Sequence, residues 1–340
     1  MPVNESPPRR PLFPRPFLVW IVVLYAFLGW LIVGGGHLTT ALQNWPMAIA
    51  MAVGSYIAGS TPMGGGTIGF PVLVLVFGES AVIGRDFSFA IQAIGMTSAS
   101  VYILSRRLPI AWNVLIPAMI GSAIGTPLGV LFLAPQVDDL FVKLLFAVTW
   151  AGFGIAQFRL MRHLLEPEPL AHPHLGFDCF IGLLVGFGGG LFIASITGVG
   201  IDMLLFVVLV LLVRVDARCG IASSVILMTF TSIVGLTTNS LAFGIPSEVW
   251  SNWYAAAPVV AIGAPLGALA ASVIPRGVTL GIVSVLCVAQ FVAFCAAERI
   301  SGWPLAASLI ALAATTAGFS LVNRWGERRM RRFRQTQPSD

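Results

Sequence analysis

Gly64-Gly65-Gly66-Thr67-Ile68-Gly69-Phe70-Pro71-Val72-Leu73 interrupts an apolar stretch with residues that a helix tolerates badly. Three consecutive glycines lower helix stability, and Pro71 has no backbone N–H to give to the preceding turn. The interruption has an echo 134 residues later, where Gly198-Val199-Gly200-Ile201-Asp202 breaks another apolar run. Further out, Met96-Thr97 and Ser100 return as Met228-Thr229 and Ser232 at an offset of 132. Ile124-Gly125-Thr126-Pro127-Leu128-Gly129 returns as Ile262-Gly263-Ala264-Pro265-Leu266-Gly267 at 138. Offsets that drift by a few residues are what loop insertions leave behind. The repeat units are then about 46–158 and 176–297, each with five apolar segments. An odd number of spans inverts the second copy relative to the first.

Composition places this repeat in a membrane. Of 340 residues, 57% are hydrophobic and 10% charged, with a mean hydropathy of +0.91. A soluble protein carries about 25% charged residues. Twelve apolar segments fall near 17–33, 46–62, 67–83, 87–105, 110–134, 139–158, 176–196, 200–213, 217–243, 250–274, 277–297 and 302–323. The expected fold is therefore an all-α polytopic membrane protein with two inverted repeats and glycine-broken or re-entrant helices. The first run is longer than a signal-peptide core and lacks a small-residue cleavage site, so it reads as a retained helix. Residues 46–62 and 67–83 read equally as two full spans or as a re-entrant hairpin, since parity is the same.

Charge sets the orientation. The formal net charge of +5 lies largely outside the apolar runs, with Arg9, Arg10 and Arg15 before the first and six arginines between Arg324 and Arg334 after the last. That is topology bias, with no nucleic-acid footprint. A cytoplasmic N-terminus puts Arg106, Arg107, Arg159, Arg162, Arg214, Arg218 and Arg276 inside and only Arg85 and Arg299 outside. The chain then divides into a cytoplasmic tail (1–16), an added first helix with an outer loop (17–45), repeat 1, a cytoplasmic linker (159–175), repeat 2, a last helix (298–323) and a basic cytoplasmic tail (324–340). Lys143, near a helix start, is the only cation expected inside a span.

Other chemistries lack their residues. Cys179, Cys219, Cys287 and Cys295 are widely spaced, which argues against a zinc or disulfide framework. His172 and His174 flank a proline in a loop and read as solvated. Neither a metal nor a cofactor is expected. An enzyme embedded in the spans needs His, Glu or paired Asp side chains there, and an ATP-driven pump needs a phosphate loop with its lysine. Glycine-broken helices at matching places in two halves point instead to a secondary transporter. Backbone N–H groups freed at a break face a cavity or buried protein, and the partial positive charge of half-helix N-termini favours an anion. For Gly186 to Gly190 and for the Ile-Gly-x-Pro-Leu-Gly pair, close helix packing is the expected role.

At these residues the chain resembles the TauE/SafE sulfite exporter family of membrane permeases. That family shows a glycine-rich stretch, a Pro-x-Leu element and a helix rich in Ala, Thr and Ser, repeated once. Here the first copy continues through Ala90 to Ser100, and the second through Asp216-Ala217-Arg218-Cys219-Gly220-Ile221-Ala222-Ser223-Ser224. The likeness covers about 46–297. Val199 stands where a third glycine is usual and Leu205 where the proline falls. The resemblance implies transport of a small sulfur-containing anion, such as sulfite or an organosulfonate, across the bacterial inner membrane. It places Gly64, Gly65 and Gly66 with Gly198 and Gly200 at the two turns, flanked by Gln92 and Thr97 in one copy and Ser224 and Thr229 in the other. Each of these polar groups has interhelical hydrogen bonding as its alternative role.

Asp202 is an ionisable residue within a span and a functional candidate by default. It reads equally as a helix cap and as the group that couples a proton or cation to the anion. An anion moving outward down an inside-negative potential gains about 2.3 kcal/mol per 100 mV, so export needs no coupled ion. The family name points to export. A transporter of a carboxylate or amino acid, and an anion channel, are the competing readings.

Overall fold

A computed structural model describes residues 11–159, 175–270 and 276–336, and among them every regular element is helical. In chain order these are α1 (Arg15–Gly34), α2 (Leu38–Gln43), α3 (Trp45–Ser60), α4 (Gly66–Val76), α5 (Ala81–Arg106), α6 (Trp112–Gln136), α7 (Asp139–Arg159), α8 (Gly176–Thr197), α9 (Ile201–Val213), α10 (Ala217–Ala242), α11 (Ser247–Ala270), α12 (Arg276–Ala297) and α13 (Gly302–Thr336). Eight of them, α1, α5, α6, α7, α8, α10, α11 and α13, are long and apolar enough to cross a bilayer. His172 and His174, most of the linker and both chain ends lie outside the described residues.

The count of twelve apolar segments is thereby refined to eight long helices and three shorter apolar ones, α4, α9 and the 281–297 part of α12, with α3 beside them. At 1.5 Å per residue α4 spans about 16 Å and α9 about 20 Å, against a hydrocarbon core of about 30 Å. Each is the short second arm of a helical hairpin, α3–α4 and α8–α9. Both arms finish in wide π-helical turns, Val72–Val76 and Val208–Val213. Pro71 leaves the Thr67 carbonyl without its helical donor, and Gln290 Nε2 on α12 supplies one at 3.1 Å.

The segment expected at 67–83 stops early. Gly78 turns the chain at φ +74°, Ser80 Oγ accepts from the Ile83 N–H, and α5 starts at Ala81. Arg85 and Asp86 are consequently helical and buried, at 8% and 2% exposure. This corrects the expectation that Arg85 lies in an outer loop and that Lys143 is the only cation within a span. The guanidinium is tolerated because it is paired: Nε donates to Asp86 Oδ1 at 2.8 Å and Nη2 to Asn239 Oδ1 on α10 at 3.3 Å. At the C-terminus, α13 runs on to Thr336, so the last helix and much of the basic tail are one element. Arg329 holds it down, lying over the Phe177 ring and 3.9 Å from Asp178.

Small residues bring the helices together. Gly121 and Gly125 of α6 lie against the Leu183 and Phe187 carbonyls of α8, and Gly182 and Gly186 answer against Val114 and Ala118. The same device joins α3 to α11, where Gly59 meets the Ala264 carbonyl and Gly267 that of Tyr56. Between these two pairs α5 crosses α10, stitched by Ser100 and Thr229 hydroxyls 2.7 Å apart, and α7 packs on α12. One end of the bundle gathers Arg106 on the Pro11 carbonyl, Arg214 on Asn323 and Arg329 near Asp178. At the other, Lys143 bridges Asp139 and Glu298, 2.7 Å from each.

Candidate functional site

The two hairpin tips meet inside the bundle. A Cβ placed on Gly66 would lie 2.3 Å from Val199 Cγ1 and 2.7 Å from Ser88 Cβ, so the first tip rests directly on the second. Val199, in place of a third glycine, fits because a glycine faces it. The two turns need glycine for different reasons. Gly198 and Gly200 sit at φ +77° and +98°, which only glycine adopts without strain. Gly64, Gly65 and Gly66 have no positive φ; at Gly64 the constraint is space, since a Cβ would lie 1.8 Å from Gln92 Oε1.

Around the tips, α5 contributes Gln92, whose Nε2 donates to the Ser88 carbonyl at 2.8 Å and to the Gly198 carbonyl at 3.0 Å. One side chain thus ties the long helix to the second break. Asp202, in the first turn of α9, is wholly buried; its Oδ1 accepts from the Met203 N–H at 2.9 Å. Its Oδ2 lies 3.3 Å from where a Gly64 Cβ would be, facing the same spot as Gln92 Oε1. Both of those oxygens are buried without a hydrogen-bond partner. Trp150 on α7 touches both breaks, donating through Nε1 to Thr67 Oγ1 at 3.0 Å and filling the place of a Gly200 side chain. It is stacked on Phe146, which stacks in turn on Phe70 of α4, so an aromatic column fixes the first hairpin's short arm.

The structure therefore brings together Gly64, Gly66, Gln92, Gly198, Gly200 and Asp202, with Trp150 packed against Gly200. Gly65 lines a cavity of about 10 Å³ with Met51, Ser55, Gln92 and Met96, room for a single water. Thr97, Ser224 and Thr229 bond back to carbonyls of their own helices, at Ala93, Ile221 and Val225, and Thr229 also meets Ser100. These bonds tie all three to the long helices α5 and α10 and not to the tips. α5 and α10 are both 26 residues long and start 136 residues apart. Ser88 and Trp150 were not singled out from the sequence. Neither carries a local signal, because each acquires its role from a hairpin tip tens of residues away.

A tip-to-tip pair of glycine-turned short helices, held by one buried Gln and one buried Asp, is the frame on which the family can be judged. The sulfite exporter TauE/SafE family model matches residues 46–294, most of the chain. The chain belongs to the TauE/SafE family. Its members are membrane transporters and not enzymes, and the matched stretch runs from α3 to near the end of α12. α1, α2 and α13 lie outside it. No curated protein and no solved structure gives a match. Among the described residues no three His, Cys, Asp or Glu side chains come together.

Proposed function

We propose that this TauE/SafE chain is a secondary transporter that carries a small sulfur-containing anion, sulfite or an organosulfonate, outward across a bacterial inner membrane. The observation that carries the reading is the meeting of α4 and α9: two short helices start at one buried point, from opposite hairpins. Their first-turn amides and partial positive charge suit an anion where the membrane supplies no water. The surrounding helices support an inverted repeat. α3 pairs with α11 as α8 pairs with α6, α4 lies on α5 as α9 lies on α10, and α5–α10 and α7–α12 pair the corresponding members of the two halves. That exchange of partners is what a two-fold axis between copies 46–158 and 176–297 produces. The arginine-rich end, with the start of α1 and the end of α13, is then cytoplasmic, placing both termini inside.

A cavity that holds one water does not hold sulfite, so the form described is closed and the tips must part during transport. The test is flux of labelled sulfite and of a small sulfonate in proteoliposomes, with potential and pH gradient imposed separately. Saturable flux is expected, driven outward by an inside-negative potential and lost in Gly65→Leu, which fills the cavity at the tips. Amides recognise charge rather than sulfur, so acetate and an amino acid serve as competitors. Flux of those alone would reassign the substrate, and non-saturating flux would make the chain a channel.

A further inference from the structure

Gln92 has no freedom to turn. Its Nε2 is committed to two carbonyls, Ser88 and Gly198, so a flipped amide would set Oε1 against both. Oε1 must therefore point at the first tip as an acceptor. The Asp202 carboxyl meets it there. Oδ1 already has the Met203 N–H, and the backbone amides of Gly64 and Gly200 stand near the carboxyl without closing a full hydrogen bond to Oδ2. Two acceptor oxygens, each on a side chain no more than 1% exposed, are turned on one point inside the bundle. Unpaired buried acceptors are unfavourable, and a buried carboxylate without a counter-charge is more so. One hydrogen removes the whole difficulty.

We propose that Asp202 and Gln92 form a proton-binding site at the crossing, with Oδ2–H of a neutral Asp202 donating to Gln92 Oε1 in the closed form. A metal ion fits poorly, since two oxygens beside a cavity of about 10 Å³ fall short of the six or more that hard cations gather. The charged groups on neighbouring elements are spoken for or remote. Arg85 and Asp86 of α5 bond each other, and Asp178 of α8 lies beside Arg329 at the arginine-rich end. Arg218 stands at the start of α10, and Lys143 of α7 sits between Asp139 and Glu298. α4 carries no ionisable side chain. Gln92 is thus a positioning residue and Asp202 the proton-binding residue. Taking the crossing as the anion site, the consequence is linkage: a neutral Asp202 removes the negative charge beside the incoming anion, so proton and anion favour each other's binding.

The experiment has two arms. In the first, infrared spectra of purified protein near neutral pH are compared between wild type, Asp202→Asn and Gln92→Met. A neutral carboxylic acid C=O stretch is expected in wild type, absent from Asp202→Asn, and shifted in Gln92→Met as its hydrogen bond is lost. The Asn variant should fold, because its amide can donate to Gln92 as the proton does. In the second arm, sulfonate transport is measured against pH, a sulfonate being charged throughout. Apparent affinity should fall as pH rises in wild type and stay flat in Asp202→Asn. No Asp202-dependent infrared band, or an unchanged pH profile in folded Asp202→Asn, overturns the proposal. If no sulfonate moves at all, the infrared arm still decides the proton site, and the failure belongs to the anion reading.

Discussion

At the scale of single residues, three neighbouring glycines do different things. A Cβ on Gly65 would have its nearest neighbour, Met51 Cε, at 3.4 Å, an ordinary contact. Gly65→Ala should therefore hold or raise stability by up to about 1 kcal/mol, through a less flexible unfolded chain. Gly64→Ala drives a methyl into Gln92 Oε1, which two hydrogen bonds hold in place, and should cost about 1–3 kcal/mol. Gly198→Ala combines a left-handed backbone with a collision at the Arg85 carbonyl and should be the worst of the three. Thermal melts of the three purified variants check the order. The glycine turns were legible in the sequence because glycine and proline act locally. Which glycine is needed for space and which for φ was not legible, since that depends on Gln92 and Arg85 arriving from another helix.

Among the elements, α5 carries the most consequence. Its N-terminal turns hold Arg85 and Asp86, its middle holds Ser88 and Gln92, and its other half meets α10 at Ser100. Hydropathy placed α7 almost to the residue, 139–158 against Asp139–Arg159, because its one interior charge, Lys143, lies in the first turns and leaves a long uncharged run after it. It started α5 six residues late because a charged pair lowers the average, and averaging cannot see that the two charges cancel. Arg85→Gln leaves Asp86 buried without its counter-charge and should cost about 3–5 kcal/mol. Adding Asp86→Asn should return much of that, a recovery that a double-mutant cycle on unfolding measures. On α12, Gln290→Leu strips the Thr67 carbonyl of its donor and should cost about 1–3 kcal/mol, loosening the short arm α4 more than the bundle. Hydrogen exchange at α4 against α5 separates the two effects.

For the whole molecule, the arginine-rich end and the Lys143 end make opposite demands on the bilayer. With the termini inside, an impermeant thiol reagent applied to intact cells should label cysteines placed at Thr39 and Ser247 in a cysteine-free background. It should spare one at Gln335 until the membrane is opened; the reverse pattern would invert the molecule. The pairing of α3 with α11 and of α6 with α8 makes two wedges that share few contacts with each other beyond the crossing helices. Under the proposed function, transport would rock one wedge against the other around the tips.

The near-absence of free volume where the hairpins touch has a physiological side. In the bacterial inner membrane proposed for this chain, energy is stored as a proton-motive force, and any water thread through a permease would drain it. With one Val, one Trp and one Gln filling the junction, the resting protein is a plug. Variants that prop the junction open should behave as uncouplers, slowing growth most on respiratory carbon sources even where no substrate is present.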